Sequence, residues 1–431
     1  MKLPKFIREN LLLKMTSLNA VSIVFRLIIS LFVNREITRL LGEGGYSRVG
    51  NFRNVLAQLT SFTSLGVFNG VVKYISEHKN DKEQLQKLFS TTFVFTVTGS
   101  IIAFATLFFF AEPLSNYYFG SLEFVPLLKF TAVIVPFISI QRVFSGVING
   151  LSLYKKFVVI EIVGYVLSTI LTLILLYKNQ LDGVLFSIAL TPIIQVVVML
   201  FLMIKVLKEY VQFKKLKWKT PLFNSLIAFT AMSFFSTILV NQVEIELRNI
   251  LEARMGAEDA DVWTGLNYIS KNYMVFSSSL ISLYVIPKLA GIYFKVDFFK
   301  ELKLIYKTLL PLFALGMFGV YLFKEFIVSL IFVGDYYKGM IPLFKWQLLG
   351  DFIRLASVIL ATQFIAKKMV YNFIFTELFS LILFYGFAYY FIDTYGVEGV
   401  TIAHFLRYIL YFLMVYFLIV RNFRKKAKSV S

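Results

Sequence analysis

Seven ionisable side chains interrupt runs that are otherwise apolar: Arg26, Arg142, Lys271, Asp351, Arg354, His404 and Arg407. A charge at the middle of a bilayer costs roughly 2.5 to 3.5 kcal/mol on insertion scales, so each of these groups needs an internal partner or water. Five of the seven are cations. A cavity lined by Arg and Lys suits an anionic substrate, and the fork of a guanidinium matches phosphate two oxygens at a time. Asp351 and Arg354 are three residues apart on one helical face, close enough to neutralise each other. His404 and Arg407 share that spacing. An intramembrane histidine reads either as a packed, hydrogen-bonded group or as a proton carrier, which makes Asp351 and His404 the candidates for coupling to an ion gradient.

A second set lies in the stretch NFRNVLAQLTSFTSLGVFNGVVKYISEH, residues 51–78. At 100° per residue, Asn51, Asn54, Gln58, Ser61, Asn69 and Lys73 fall on one 120° stripe of a straight helix, with Arg53 beside it. Arg53 and Lys73 would then stand about 30 Å apart along the axis. Lys73 reads as a snorkelling anchor or as a cation at one mouth of a path, and Arg53 as an interface anchor or an anion contact. Ser, Asn and Gln in a span also serve as bonds between helices, but the length of this stripe favours a wet cavity.

The elements that must carry these groups are membrane helices. The 431 residues are 58% hydrophobic and 16% charged, and the mean hydropathy is +0.74; this fits neither a soluble domain nor a disordered chain. A helical span needs about 20 mostly apolar residues. Breaks in hydropathy place twelve, near 15–40, 51–75, 86–111, 124–150, 155–177, 183–205, 220–247, 262–286, 303–332, 340–365, 369–392 and 397–420. The start, MKLPKFIRENLLLKM, is basic and amphipathic without a cleavage site, and reads as a cytosolic lead-in.

The formal net charge is +19, and its distribution matters more than its size. With the N-terminus inside, inner segments hold 28 of the 44 Lys and Arg residues, while the outer segments at 112–123, 178–182, 248–261, 333–339 and 393–396 hold 4. Both termini are therefore expected in the cytosol. The basic runs read as topology signals beside anionic lipid, not as nucleic-acid sites.

Sliding the chain by 216 residues aligns PLLKF (126–130) with PLFKW (342–346), Glu161 with Glu377, and DGV (182–184) with EGV (398–400). Six spans per half is an even number, so the halves run parallel and their pseudo-two-fold axis lies along the membrane normal. The expected fold is all-α: twelve transmembrane helices in two parallel six-helix bundles, residues 1–210 and 211–431, around a central lumen.

The chain has no cysteine, two histidines, no phosphate-binding glycine loop and no H-E-x-x-H. No catalytic residues, metal ligands or cofactor are assigned, and any uphill work would draw on a proton or sodium gradient, a partner, or removal of product. A membrane polysaccharide polymerase or ligase would be expected to carry a substantial outer catalytic loop; the loops here are short.

The string GEGGYSRVGNFRNVLAQLTSFTSLGVFNGVVKYISEH and a second block, WQLLGDFIRLASVILATQFIAKK, resemble the Wzx-type flippases of polyprenyl-diphosphate-linked oligosaccharides, most closely the branch that serves enterobacterial common antigen. The resemblance implies the multidrug/oligosaccharidyl-lipid/polysaccharide exporter fold, alternating access and ion coupling. It carries over Asn51, Arg53, Asn69, Lys73, Asp351 and Lys367 as motif positions. Arg26, Arg142, Lys271, Arg354 and Arg407 rest on intramembrane charge alone. The implied partners are an undecaprenyl-diphosphate-linked oligosaccharide of O-antigen or related type, the bilayer, a polysaccharide polymerase and a chain-length regulator, in a bacterial inner membrane. A peptidoglycan-precursor flippase differs only in cargo. A multidrug exporter of the same fold would call for acidic groups facing cationic drugs, and the excess here is basic.

Overall fold

The computed structural model describes residues 11–212, 215–367 and 369–428, so most of the expected lead-in lies outside the described residues. Every regular element among the described residues is helical. The first half holds α1 (Leu11–Leu40), α2 (Gly45–Thr63), α3 (Phe68–His78), α4 (Lys82–Phe109), α5 (Ala111–Phe119), α6 (Val125–Gly150) and α7 (Tyr154–Tyr210). The second half holds α8 (Phe223–Ser233) and α9 (Leu239–Met255) joined by a π-helical turn, then α10 (Ala257–Leu280) and α11 (Ile286–Ala290) joined by another. They are followed by α12 (Lys295–Leu322), α13 (Lys324–Ile331), α14 (Phe344–Ala366), α15 (Val370–Tyr395) and α16 (Val397–Lys428). Local signals set several ends. Asp81, for example, caps α4 by accepting from the backbone N–H groups of Glu83 and Gln84, both at 3.0 Å.

The 57 residues of α7 are two limbs, not one rod. Ser187 Oγ donates to Thr172 Oγ1 at 2.9 Å, whereas fifteen residues of straight helix would set those atoms about 22 Å apart. The reversal falls at Gln180, with φ 46° and ψ −123°, values of the first central residue of a type II′ turn. Gly183 lets the limbs close: a Cβ there would lie 2.0 Å from the carbonyl oxygen of Leu175. The same device recurs 216 residues on. Gly396 has φ 57° and ψ −141°, and a Cβ on Gly399 would lie 2.4 Å from the carbonyl oxygen of Phe391. The sequence repeat is thus a repeat of backbone geometry.

Among the described residues eight helices are long and apolar enough to cross a membrane, nine when α2 and α3, bent by 46°, are taken as one. The hairpin of α7 supplies two passes, since each limb exceeds the ~30 Å of hydrocarbon. This is a multi-pass all-α membrane protein; the finer count of twelve spans is taken up with the functional proposal. One expected span, 303–332, divides into α12 and α13, because α12 closes at Leu322 with the Phe323 N–H on the carbonyl of Gly319. Hydropathy does not register a break between two apolar helices. The outward faces are apolar, with Phe201 85% and Ile382 70% exposed, as expected where lipid and not water is the solvent.

The chain clusters into two compact units. One comprises Val24–Leu41 and Arg48–Ile245; the other comprises Gly42–Ser47, the chain from Glu246 onward and α1 up to Ile23. In the first, Val67, which precedes α3, and Val71 and Ile75 of α3 pack with Leu88 and Phe89 of α4 and with Val147 and Ile148 of α6.

Candidate functional site

In the first unit the polar stripe of α2 is occupied by a neighbouring helix. Asn54 Nδ2 donates to Glu244 Oε2 at 2.9 Å and to the carbonyl of Asn241 at 3.3 Å. Gln58 Nε2 donates to Gln242 Oε1 at 3.2 Å, and the hydroxyls of Ser61 and Ser233 share a hydrogen bond of 2.9 Å. Asn51 Nδ2 donates to the carbonyl of Tyr118 at 2.8 Å. Asn51 and Asn54 are buried. The wet cavity expected along this stripe is, over these residues, a polar seam between α2 and the α8–α9 run.

The stripe also stops earlier than a straight helix predicts. Leu65 (φ 45°) and Gly66 (φ 63°) separate α2 from α3, so the 100° phase does not carry through to Asn69 and Lys73. Asn69 is exposed. Lys73 lies 3.8 Å from Glu77, one turn on, and 5.4 Å from the ring centroid of Tyr74.

Of the cations in this unit, Arg26 is committed to Glu161, Nη1 to Oε2 at 2.8 Å, with Tyr165 beside it. Arg142 stacks on Phe68, its guanidinium carbon 3.8 Å from the ring centroid, and has no carboxylate partner among the described residues. Arg53 is half-buried and makes no hydrogen bond or ion pair among the described residues. These two guanidinium groups keep donors that an incoming anion can take.

The second unit holds a polar centre around Asp351, which is fully buried. Four neutral side chains from three helices converge on its carboxylate. From α10 come Ser270 Oγ at 2.6 Å and the Tyr273 hydroxyl. From α14 comes Gln347 Nε2 at 3.0 Å, and from α16 His404 Nε2 at 3.0 Å. Arg354 Nη1 stands farther off, at 3.8 Å, so the expected Asp351–Arg354 pair is the weakest contact of the set. Arg407 Nη2 lies 3.4 Å from His404 Nδ1. A guanidinium can only donate, so Nδ1 accepts and the proton of a neutral imidazole sits on Nε2, directed at Asp351. Phe384 and Tyr408 sandwich the Arg407 guanidinium, with ring centroids 3.9 and 4.4 Å away. A close backbone approach makes the centre possible: a Cβ on Gly350 would lie 2.4 Å from His404 Cδ2.

Lys271 is exposed on α10. Lys367, just past the last turn of α14, sits 3.6 Å above the Tyr293 ring, a usual place for a cation at a helix C-terminus. The structure therefore brings Asp351, Arg354, His404 and Arg407 together, and leaves Lys271 and Lys367 at other places. Sequence reasoning missed Ser270, Tyr273, Gln347 and Glu244. It also missed Asp261, whose carboxylate accepts from the backbone N–H groups of Gly44 at 3.0 Å and Ser47 at 2.6 Å. That contact caps α2 from another helix and fixes the glycine-containing loop.

A multi-pass helical protein with buried polar centres can be compared with known membrane-protein structures. The fold matches an inward-facing multidrug resistance MATE family transporter of the MOP superfamily with a TM-score of 0.78, at 14% identity over 94% of this chain and 99% of that one. It matches a MOP superfamily transporter from Pyrococcus furiosus with a TM-score of 0.74, at 14% identity over 97% and 99%. The fold is the one these MOP superfamily transporters share. Within that class the chain belongs to the polysaccharide biosynthesis protein family, whose model matches residues 12–293. Its relatives include the lipid III flippases of Escherichia coli (strain K12) and Shigella flexneri, each 25% identical over 393 residues, 91% of this chain and 94% of theirs.

Proposed function

We propose that this protein is a flippase that moves polyprenyl-diphosphate-linked oligosaccharide repeat units, of O-antigen or a related surface polysaccharide, from the cytosolic to the outer leaflet of the bacterial inner membrane. The observation that carries the reading is the pair Arg53 and Arg142, two guanidinium groups in one unit without carboxylate partners among the described residues. Arg26, by contrast, is neutralised by Glu161. Kinship with proteins named lipid III flippase supports a lipid-linked sugar as cargo.

The physical need is large. Each sugar hydroxyl or amide costs on the order of 2 to 7 kcal/mol to bury unpaired, and a barrier of even ~25 kcal/mol allows about one crossing in several days. A protein path that supplies hydrogen bonds to the headgroup, while the prenyl tail stays in lipid, removes that barrier. In this proposal twelve spans in two six-helix bundles, residues 1–210 and 211–431, work by alternating access with both termini in the cytosol. Lys73 and Arg142 take the diphosphate first and Arg53 later; the exposed Asn69 orients the headgroup region, while Asn51, held on the Tyr118 carbonyl, steadies the helix that carries Arg53. Asp351 and His404 couple the cycle to a proton or sodium gradient, and Arg354 and Arg407 set their charge. A polymerase and a chain-length regulator consume the product.

Depletion of the protein in its host, followed by mass spectrometry of polyprenyl-linked lipids with headgroup sidedness read in spheroplasts, tests the reading. A diphosphate-linked repeat unit should accumulate on the cytosolic face. An unchanged lipid pool, in a strain that makes such glycans and has no second flippase, would overturn it.

A further inference from the structure

Two helix faces in the second unit border a groove of about 400 Å³, within the range of small-ligand sites. One wall is the i, i+3, i+4, i+7 stripe of α12 from Ala314 to Tyr321, and the other is the same stripe of α14 from Lys345 to Phe352. Such stripes ordinarily face a protein core. Here Phe318 is 57% and Leu349 49% exposed, so the groove opens to the surroundings of a membrane helix, which are hydrocarbon. Seven residues give it a length of about 10 Å along the helix axes.

Its polar groups all gather at one end. α12 runs towards Tyr321 and α14 away from Lys345, so these two lie together at one mouth while Ala314 and Phe352 lie at the deep end. Lys324, the first residue of α13, places its ammonium 4.0 Å from the centroid of the Tyr321 ring and has no carboxylate partner among the described residues. Lys345 pairs with Glu398 at 2.9 Å, an acid that also accepts from Trp346 Nε1 at 2.8 Å. Lys324 and Lys345 thus stand near this mouth, with Glu398 paired to Lys345 and Glu325 beside Lys324 in the sequence. In the orientation proposed above the mouth faces the outer leaflet.

We infer that this groove seats the first part of a prenyl chain whose diphosphate lies over Lys324 and Lys345, an outer-leaflet site for the lipid carrier. The inference rests on the flippase reading and adds to it where the tail goes. The chemistry favours a prenyl diphosphate over a glycerophospholipid. The groove offers one channel between two facing stripes, which seats the start of one chain; a single-chain lipid then has no second chain to leave outside, whereas a glycerophospholipid does. A diphosphate also brings more negative charge than a phosphodiester to the two lysines.

The test uses the full-length protein in nanodiscs, with undecaprenyl diphosphate and phosphatidylglycerol as competing probes, read by native mass spectrometry. Ala314→Trp fills the deep end from an exposed position, and Lys324→Gln removes the cation that has no acidic partner. Each should weaken undecaprenyl diphosphate binding about tenfold, the scale of one lost charge-assisted contact or one blocked apolar subsite. Equal competition by phosphatidylglycerol would overturn the inference and make the groove a phospholipid seat. Wild-type binding in both variants would overturn it as well. Flipping by the same wild-type preparation is measured separately in vesicles. Failure there, with selective binding intact, would remove the flippase reading and leave the prenyl site standing.

Discussion

His404 Nε2 lies 3.0 Å from Asp351 Oδ1 while its other ring nitrogen faces the Arg407 guanidinium at 3.4 Å. The imidazole is held between a group that accepts a proton and one that can only donate. This fixes one tautomer, and it makes the charge on Asp351 and the proton on His404 dependent on each other.

If that centre couples transport to an ion gradient, His404→Gln should separate coupling from stability. Glutamine keeps an N–H donor that can reach Asp351, so protein abundance should stay near wild type. The dependence of flipping rate on an imposed proton or sodium gradient should be lost. Retained gradient dependence in His404→Gln would make the histidine a packing group only. Gly350→Ala is expected to fail differently. Its Cβ would enter the space of His404 Cδ2, and the buried ring, with Tyr408 5.0 Å away centroid to centroid, has little room to yield. A loss of about 1–3 kcal/mol, typical of overpacking, should appear as a lower melting temperature in detergent.

The two kinds of arginine in the first unit predict opposite phenotypes. Arg26→Ala leaves Glu161 without its cation, so it should lower the amount of folded protein in the membrane. Arg142→Ala removes no ion pair and should leave abundance close to wild type while slowing flipping about tenfold or more, the worth of one charge-assisted hydrogen bond of roughly 1.5–3 kcal/mol. Arg142→Lys should not rescue it, since an ammonium lacks the planar face that stacks on Phe68. Quantitative immunoblots beside a vesicle flipping assay separate the outcomes.

The seam between α2 and the α8–α9 run is measurable as a coupling energy. A double-mutant cycle of Asn54→Ala with Glu244→Ala should return about 0.6 kcal/mol, and no more than about 1.7, the span seen for hydrogen bonds between membrane helices. A coupling near zero would mean that water, not Glu244, satisfies Asn54.

How far these features could be read in advance depends on whether a residue's role is local. Charges such as Arg26, Arg142, Asp351 and His404 stand out because an apolar run makes any ionisable group conspicuous. Ser270, Tyr273 and Gln347 do not, since single uncharged polar residues are ordinary in a span; Gln347 lies one turn before Asp351 on α14, and only the crossing of α10 and α14 brings Ser270 and Tyr273 to the same carboxylate. The stripe on α2 was legible as a stripe, but its partners 172 to 190 residues away were not. The break that ends it hides at Leu65, a residue type that gives no warning of a positive φ. The family was legible because its motifs are contiguous strings. The α7 hairpin was foreshadowed by DGV and EGV at the 216-residue offset, although sequence alone does not say that the shared glycine closes a helix pair.

That repeat yields the last prediction. Gln180 and Gly396 occupy the same turn position, with φ of 46° and 57°, but only one of them is glycine. A side chain in this region costs on the order of 1–3 kcal/mol, and glycine occupies it without that strain. Gln180→Gly should therefore stabilise the purified protein, by roughly 1 kcal/mol less the greater freedom glycine gives the unfolded chain, and so raise its melting temperature. Gly396→Gln should lower it. Gly183→Ala and Gly399→Ala form the matched pair in the opposite sense, since both press a Cβ against a backbone carbonyl at 2.0 and 2.4 Å. Both should destabilise, because backbone cannot move aside as the end of a flexible side chain can. Stabilisation by Gln180→Gly with flipping unchanged would mark the turn as a structural corner. Stabilisation with slower flipping would mean that the strain at Gln180 is used in the transport cycle.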